Sequence, residues 1–266
     1  MYVSIFQNAG TVANYVRYIR WACRELGTDD SWMTDRVRAQ IKGLEKLQVR
    51  LAVDSGPRCL LTRSVVSQVA RFSHTMNDCA FAAVALICWE CLRRVQSEGL
   101  GLEMGSAASV LTLPAGRHSS VFVDSQRVLH VRLRRRKHRQ MGSVLKRPCT
   151  CSGGGLACAS CAFLRWSVGA QAVEGQQING RSAAQFLHNL RRTLALLAIP
   201  RAQLFTLKAF RAGHATELVR AGASWARLLE AGEWCGEASL RYVDSSAVDA
   251  ADFVSCLVEA SSDEGT

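Results

Sequence analysis

TLKAFRAGHATELVRAGASWARLLEAGEWCGEASLRY, residues 206–242, is the most informative stretch of this chain. Within it Arg211 is followed at four, five and seven positions by Ala215, Thr216 and Leu218. Gly222 stands twelve residues before Trp234, Lys208 precedes Arg211 by three, and Tyr242 closes the run. Taken singly these residues are ordinary: Arg211 and Lys208 suit solvated helix positions, and Trp234 and Tyr242 suit a core. Their fixed order in one helical region is what carries weight.

Working outward, helical periodicity runs from about Ser182 to the end of the chain. Upstream of it, SSVFVDSQRVLHVRLRRRKHRQMGSVL (119–145) changes to a period of two, with Val128, His130 and Arg132 opposite Leu129, Val131 and Leu133, which predicts a small antiparallel sheet. Earlier still, Thr62 is a candidate N-cap for a helix carrying Val65, Val66, Val69 and Phe72. A mostly apolar helix then spans about Asp78 to Arg94. Its longest apolar run, Cys79 to Trp89, falls far short of the roughly 20 residues that span a bilayer, so it reads as a core helix. DSGPR (54–58) interrupts the periodicity with Gly and Pro and marks a boundary. Before it lie a helix over residues 11–27, with Arg17, Arg20 and Arg24 along its edges, and a second from about Thr34 to Leu51. The fold class is therefore α+β and mostly α, with residues 1–53 forming one short helical domain and residues 58–266 a larger one.

At 266 residues the chain is long enough for two such domains, and 48% hydrophobic with 21% charged residues is the balance of a folded globular protein. The formal charge of +11 favours a polyanionic partner, since clustered Lys and Arg gain by displacing counterions from phosphates. MYVSIFQNAG lacks the pattern of a secretory signal, which predicts an intracellular protein with reduced thiols and no membrane role.

The run 206–242 resembles the C-terminal signature of the tyrosine recombinases, the phage integrase-like family, in which His-x-x-Arg opens a helix, Ala-Thr follows, and a Gly-His/Trp pair precedes a nucleophilic Tyr. LRRVQSEGLGL (92–102) resembles the family's first arginine box, pointing to Arg94, with Arg93 as the other candidate. The basic segment ending in RRRKHRQ resembles the hairpin that carries the family's lysine, pointing to Lys137, with Lys146 as the alternative. The resemblance implies a helical catalytic domain with a small antiparallel sheet at one edge, preceded by a short helical DNA-clamping domain. It also implies a homo-oligomer, a tetramer on double-stranded DNA, that breaks and rejoins strands through a 3′-phosphotyrosyl link formed by Tyr242. Arg17, Arg20 and Arg24 in the first domain and Arg134, Arg135, Arg136 and Arg139 in the hairpin are then the expected DNA contacts. Val248, Ala251, Phe253, Val254, Leu257 and Val258 can make an apolar helix face, which the resemblance implies docks into a neighbouring protomer.

The residue types suit phosphoryl transfer without a required cofactor. Two guanidinium groups, Arg94 and Arg211, can each clamp non-bridging oxygens and stabilise the charge of the transition state. An unperturbed phenol, of pKa about 10, needs a cationic pocket to attack at neutral pH, and the departing 5′ oxygen needs a proton, the role the resemblance gives to Lys137. Trp234 offers one indole N–H. Three features depart from the family: Lys208 stands where His is usual, Tyr242 follows Trp234 by one residue fewer, and residues 1–53 hold fewer helices than the usual clamping domain. A catalytically inactive DNA-binding derivative and a topoisomerase of the same tyrosine chemistry are the alternatives. RLRRRKHR (132–139) also resembles a nuclear import signal, so the expected compartment is the nucleus in a eukaryote and the cytoplasm otherwise.

Between sheet and C-terminal helices lies RPCTCSGGGLACASC, a Gly- and Cys-rich loop. Cys149, Cys151, Cys158 and Cys161 can hold a tetrahedral structural zinc or stand as reduced loop thiols; the Cys-x-Cys half is tighter than usual ligand spacing. His118, His138 and His214 match no ligand spacing and read as structural or phosphate-contacting.

Overall fold

The computed structural model describes residues 9–29, 31–32, 35–54, 59–111, 118–134, 141–151, 154–234, 239 and 242–244. The chain divides into two compact units, Met1–Arg58 and Cys59–Thr266. In the first, α1 (Ala9–Glu25) and α2 (Asp35–Asp54) lie against one another. Val12 is buried, whereas Tyr15, Tyr18, Ile19 and Trp21 on α1 are exposed.

The second unit is built around one helix. In α4 (Cys79–Glu90) every residue from Phe81 to Glu90 is buried, because a helix apolar on every side up to Trp89 lowers its free energy only when surrounded. Its neighbours are α3 (Arg63–Thr75), α6 (Ala159–Gly169) and α8 (Lys208–Arg220). Thr62 caps α3 by accepting from the Val65 N–H, as its sequence position suggests. Asp78 caps α4 at the Phe81 N–H and pairs with Arg181 at 2.9 Å. α7 (Ala183–Leu196) opens with a Ser182/Gln185 capping box, and α9 (Trp225–Gly232) follows α8. Close packing of α8 depends on Gly213: a Cβ there would lie 2.0 Å from the Leu61 carbonyl oxygen.

The sheet is mixed, which corrects the expectation of an antiparallel one. β2 (Ser119–Val123), β3 (Leu129–Leu133) and β4 (Ser143–Arg147) pair antiparallel, and β1 (Leu102–Met104) adds in parallel to β2 through the short helix α5 (Ala107–Leu111). Three residues are too few for a period of two to show in sequence. Val121, Leu129, Val131 and Leu133 join the main core. Arg132 and His130, on the opposite face, are buried as well. Arg132 donates to the Ser109 carbonyl of α5, and His130 bonds Asp124 at 2.8 Å while stacking on Phe122. α5 thus keeps Arg132 from solvent.

Candidate active site

Two helix ends create the site, and both are closed by a non-glycine residue in the left-handed region. α4 stops at Glu90 instead of running on to Arg94, because Leu92 (φ 53°) turns the chain, with Arg93 N–H donating to the Cys88 carbonyl at 2.8 Å. α9 stops at Gly232 because Glu233 (φ 48°) turns the chain, with Trp234 N–H donating to the Leu229 carbonyl at 2.9 Å. A side chain in this conformation costs on the order of 1 kcal/mol, a strain that persists where the surroundings enforce it.

The residues after these turns meet. Arg93 is fully buried and its guanidinium pairs with Glu233 at 3.2 Å, while Ser143 of β4 donates to the same carboxylate oxygen at 2.9 Å. Helix α4, helix α9 and the sheet are joined at that carboxylate. Arg94, the next residue, is exposed, and the nearby Tyr242 phenol holds its guanidinium above the ordinary value. Its own N–H donates to Glu98 at 3.0 Å, so the π-helical turn Val95–Gly99 is tied back onto Arg94.

Arg211 lies on α8 at 1% exposure, and its guanidinium sits 4.6 Å from the Trp234 ring centroid and 4.5 Å from that of Tyr242. The two rings are themselves nearly parallel at 5.3 Å. Trp234 can fold back here because residue 232 is glycine: a Cβ on Gly232 would lie 2.5 Å from the indole. Arg211 donates to the Gly232 carbonyl through one Nη at 3.4 Å. Its Nε and other Nη, and the Trp234 indole N–H, are buried without a partner among the described residues. Burial pulls Arg211 down to about 10; Tyr242 and Glu98 act against that, and the cations Arg93 and Arg94 add to it. It remains charged at neutral pH, beside two other arginines.

The structure therefore brings together Arg94, Arg211, Trp234 and Tyr242 from four places in the sequence. Lys208 is exposed on the first turn of α8; three residues from Arg211 it shares that helix face, but at its solvent end. Lys137 lies outside the described residues, as do Arg135, Arg136, Arg139 and the segment Val248–Val258. Lys146, the alternative lysine, is exposed on β4 opposite His130. It lines a cleft of about 660 Å³ with Arg63, Arg147 and Arg227, opposed by Glu90 and Glu230. Arg134 is exposed; on α1, in the first unit, Arg17 and Arg24 are exposed and Arg20 is half-buried.

Glu233 and Ser143 were not singled out by the sequence, and nothing in their local pattern marks them. His214 is structural: its Nδ1 bonds the Trp89 carbonyl at 2.6 Å, its ring stacks on Trp89 at 4.1 Å, and burial pulls it down to about 4. His118 faces Glu103 at 3.5 Å, and His138 lies outside the described residues. The sulfurs of Cys149, Cys151, Cys158 and Cys161 all lie within 4.8 Å of one another, a group able to hold a metal ion. Among the described residues no helix is long and apolar enough to cross a membrane. No known family model and no curated protein matches this chain.

Proposed function

We propose that this chain is a DNA strand-exchange enzyme of the tyrosine recombinase type. The observation that carries the proposal is the buried Arg211 guanidinium stacked against Tyr242 with two donor nitrogens unpartnered among the described residues, beside an Arg94 whose guanidinium the phenol holds above its ordinary value. Buried donors ordinarily have acceptors, and unmet ones in a cationic pocket suit an anion that arrives from outside. A backbone phosphate supplies that anion, and the phenol beside it supplies the nucleophile.

In this reading the Tyr242 oxygen attacks the scissile phosphorus and loses its proton to a base. The bond to the 5′ oxygen breaks, that oxygen takes a proton from a lysine, and a 3′-phosphotyrosyl ester remains. Lys137 is the lysine the resemblance favours, with Lys146 as the alternative. Arg94 and Arg211 stabilise the equatorial oxygens, and the Trp234 N–H adds a further donor. Rejoining reverses the step: a 5′ hydroxyl attacks the ester and frees Tyr242. No metal takes part in the transfer; zinc belongs to the reading only as a structural ion at the cysteine cluster. Double-stranded DNA is the partner, bound with self-association into a tetramer, in the nucleus of a eukaryote or the cytoplasm otherwise. Arg17, Arg20, Arg24 and Arg134 contact phosphates.

A second reading, an inactive derivative that still binds DNA, is favoured by Lys208, which stands where the resembled family usually has His and is exposed, so that it is a poor general base. Incubation with a library of nicked duplexes, followed by denaturation in detergent, separates the two. Active enzyme leaves a covalent protein–DNA adduct that disappears in Tyr242→Phe. Salt-sensitive DNA binding with no adduct from any duplex points to the inactive derivative.

A further inference from the structure

We propose that Cys149, Cys151, Cys158 and Cys161 form a tetrathiolate zinc site that clips the end of β4 to the first turn of α6. Cys149 and Cys151 follow the last residue of β4 by two and four positions, Cys158 is the N-cap of α6, and Cys161 lies in that helix's first turn. Strand and helix thus each contribute a pair of sulfurs.

The spacing of the sulfurs fits a single small ion. Zinc–thiolate bonds of about 2.3 Å place tetrahedral sulfurs about 3.8 Å apart. Here Cys149 lies 3.4, 3.5 and 3.7 Å from Cys151, Cys158 and Cys161, and Cys151 lies 3.4 Å from Cys161. Two-iron or larger clusters hold bridging sulfides between their ligands and need a wider cage than sulfurs within 4.8 Å of each other. A tetrahedral arrangement of four sulfurs around one ion is the preference of zinc.

The loop is shaped around these sulfurs. A Cβ on Gly155 would lie 2.9 Å from the Cys151 Cβ and 3.0 Å from its sulfur, so the turn closes over Cys151 only with glycine there. Cys88 and Cys91 give the contrast: both are buried in the core and, among the described residues, belong to no such group. The clip also borders the basic cleft, where Arg63 reaches the Thr150 hydroxyl between the two strand-side cysteines at 3.5 Å.

Metal analysis of the full chain purified from zinc-supplemented cells tests the site. Close to one zinc per chain is expected, and exchange for cobalt(II) should give sulfur-to-cobalt charge transfer and the intense visible bands of a tetrahedral site. Zinc should shield four of the eleven cysteines from a thiol reagent until a chelator is added. Cys151→Ser with Cys161→Ser should abolish stoichiometric binding, and Cys23→Ser with Cys59→Ser should preserve it. The unaltered chain decides the matter even where the first pair fails to fold: trace zinc only, or weak octahedral cobalt bands, would overturn the site. Full zinc binding by a folded Cys151→Ser, Cys161→Ser protein would do the same.

Discussion

Arg93 and Arg211 are equally buried, belong to neighbouring parts of one site, and are treated in opposite ways. Arg93 meets a carboxylate: Glu233 at 3.2 Å, itself held by Ser143. Arg211 meets two aromatic rings and one backbone carbonyl, and among the described residues no carboxylate forms an ion pair with it. A buried charge is costly unless it is paired, so the first arrangement is a charge-paired structural joint. The second leaves directional donors unmet beside a phenol, an arrangement suited to a visiting anion. Burial alone does not separate these two arginines; the identity of the partner does.

Breaking the joint should give the largest effect. Glu233→Gln leaves Arg93 buried without a counter-charge and should destabilise the second unit by about 3–5 kcal/mol, read from urea unfolding. Arg93→Met combined with Glu233→Leu should recover much of that loss, since a hydrophobic pair of similar volume escapes the desolvation penalty. A double variant no more stable than Glu233→Gln would mean that the joint acts through something other than charge.

Arg211→Lys sharpens the other half of the comparison. It keeps the positive charge but not the planar fork, and should slow adduct formation on nicked DNA about 10²–10³-fold while the unfolding midpoint moves little. An unfolding shift as large as that of Glu233→Gln, with adduct rates unaffected, would make Arg211 a second structural joint.

The smallest effect concerns a buried base that stays neutral. His214 is pulled down to about 4 in the folded protein against 6.5 when free, so below 6.5 the unfolded chain binds a proton that the folded chain does not. Its contribution is fully present above pH 6.5 and is lost as the pH falls towards 4, by at most on the order of 3 kcal/mol. His214→Gln should flatten the stability profile across that window, and an unchanged profile would show that other groups govern acid unfolding.

Much of the second unit was legible from periodicity. The unbroken apolar run of α4 announced its central place, Thr62 its role as a cap, and alternation three of the four strands. β1 escaped because three residues show no period, and the burial of Arg132 because α5, which covers it, leaves no mark on the strand's own pattern. The end of α4 was misplaced for a related reason. Leu92 is a strong helix former by propensity, and only the packing that holds it left-handed stops the helix before Arg93.

For the candidate site, the family resemblance pointed to Arg94, Arg211, Trp234 and Tyr242, and cysteine spacing pointed to the four sulfurs, because both rest on residue type and type is written in the chain. Glu233 and Ser143 could not be named, since an ordinary glutamate and serine gain their role only when two helix ends and a strand converge on Arg93. The sequence by itself determined which side chains carry charge, phenol and thiol, and where helical or alternating burial would run. Tertiary structure alone decided which arginine is neutralised and which keeps its donors open, because pairing depends on distance through space and distance is set by the fold.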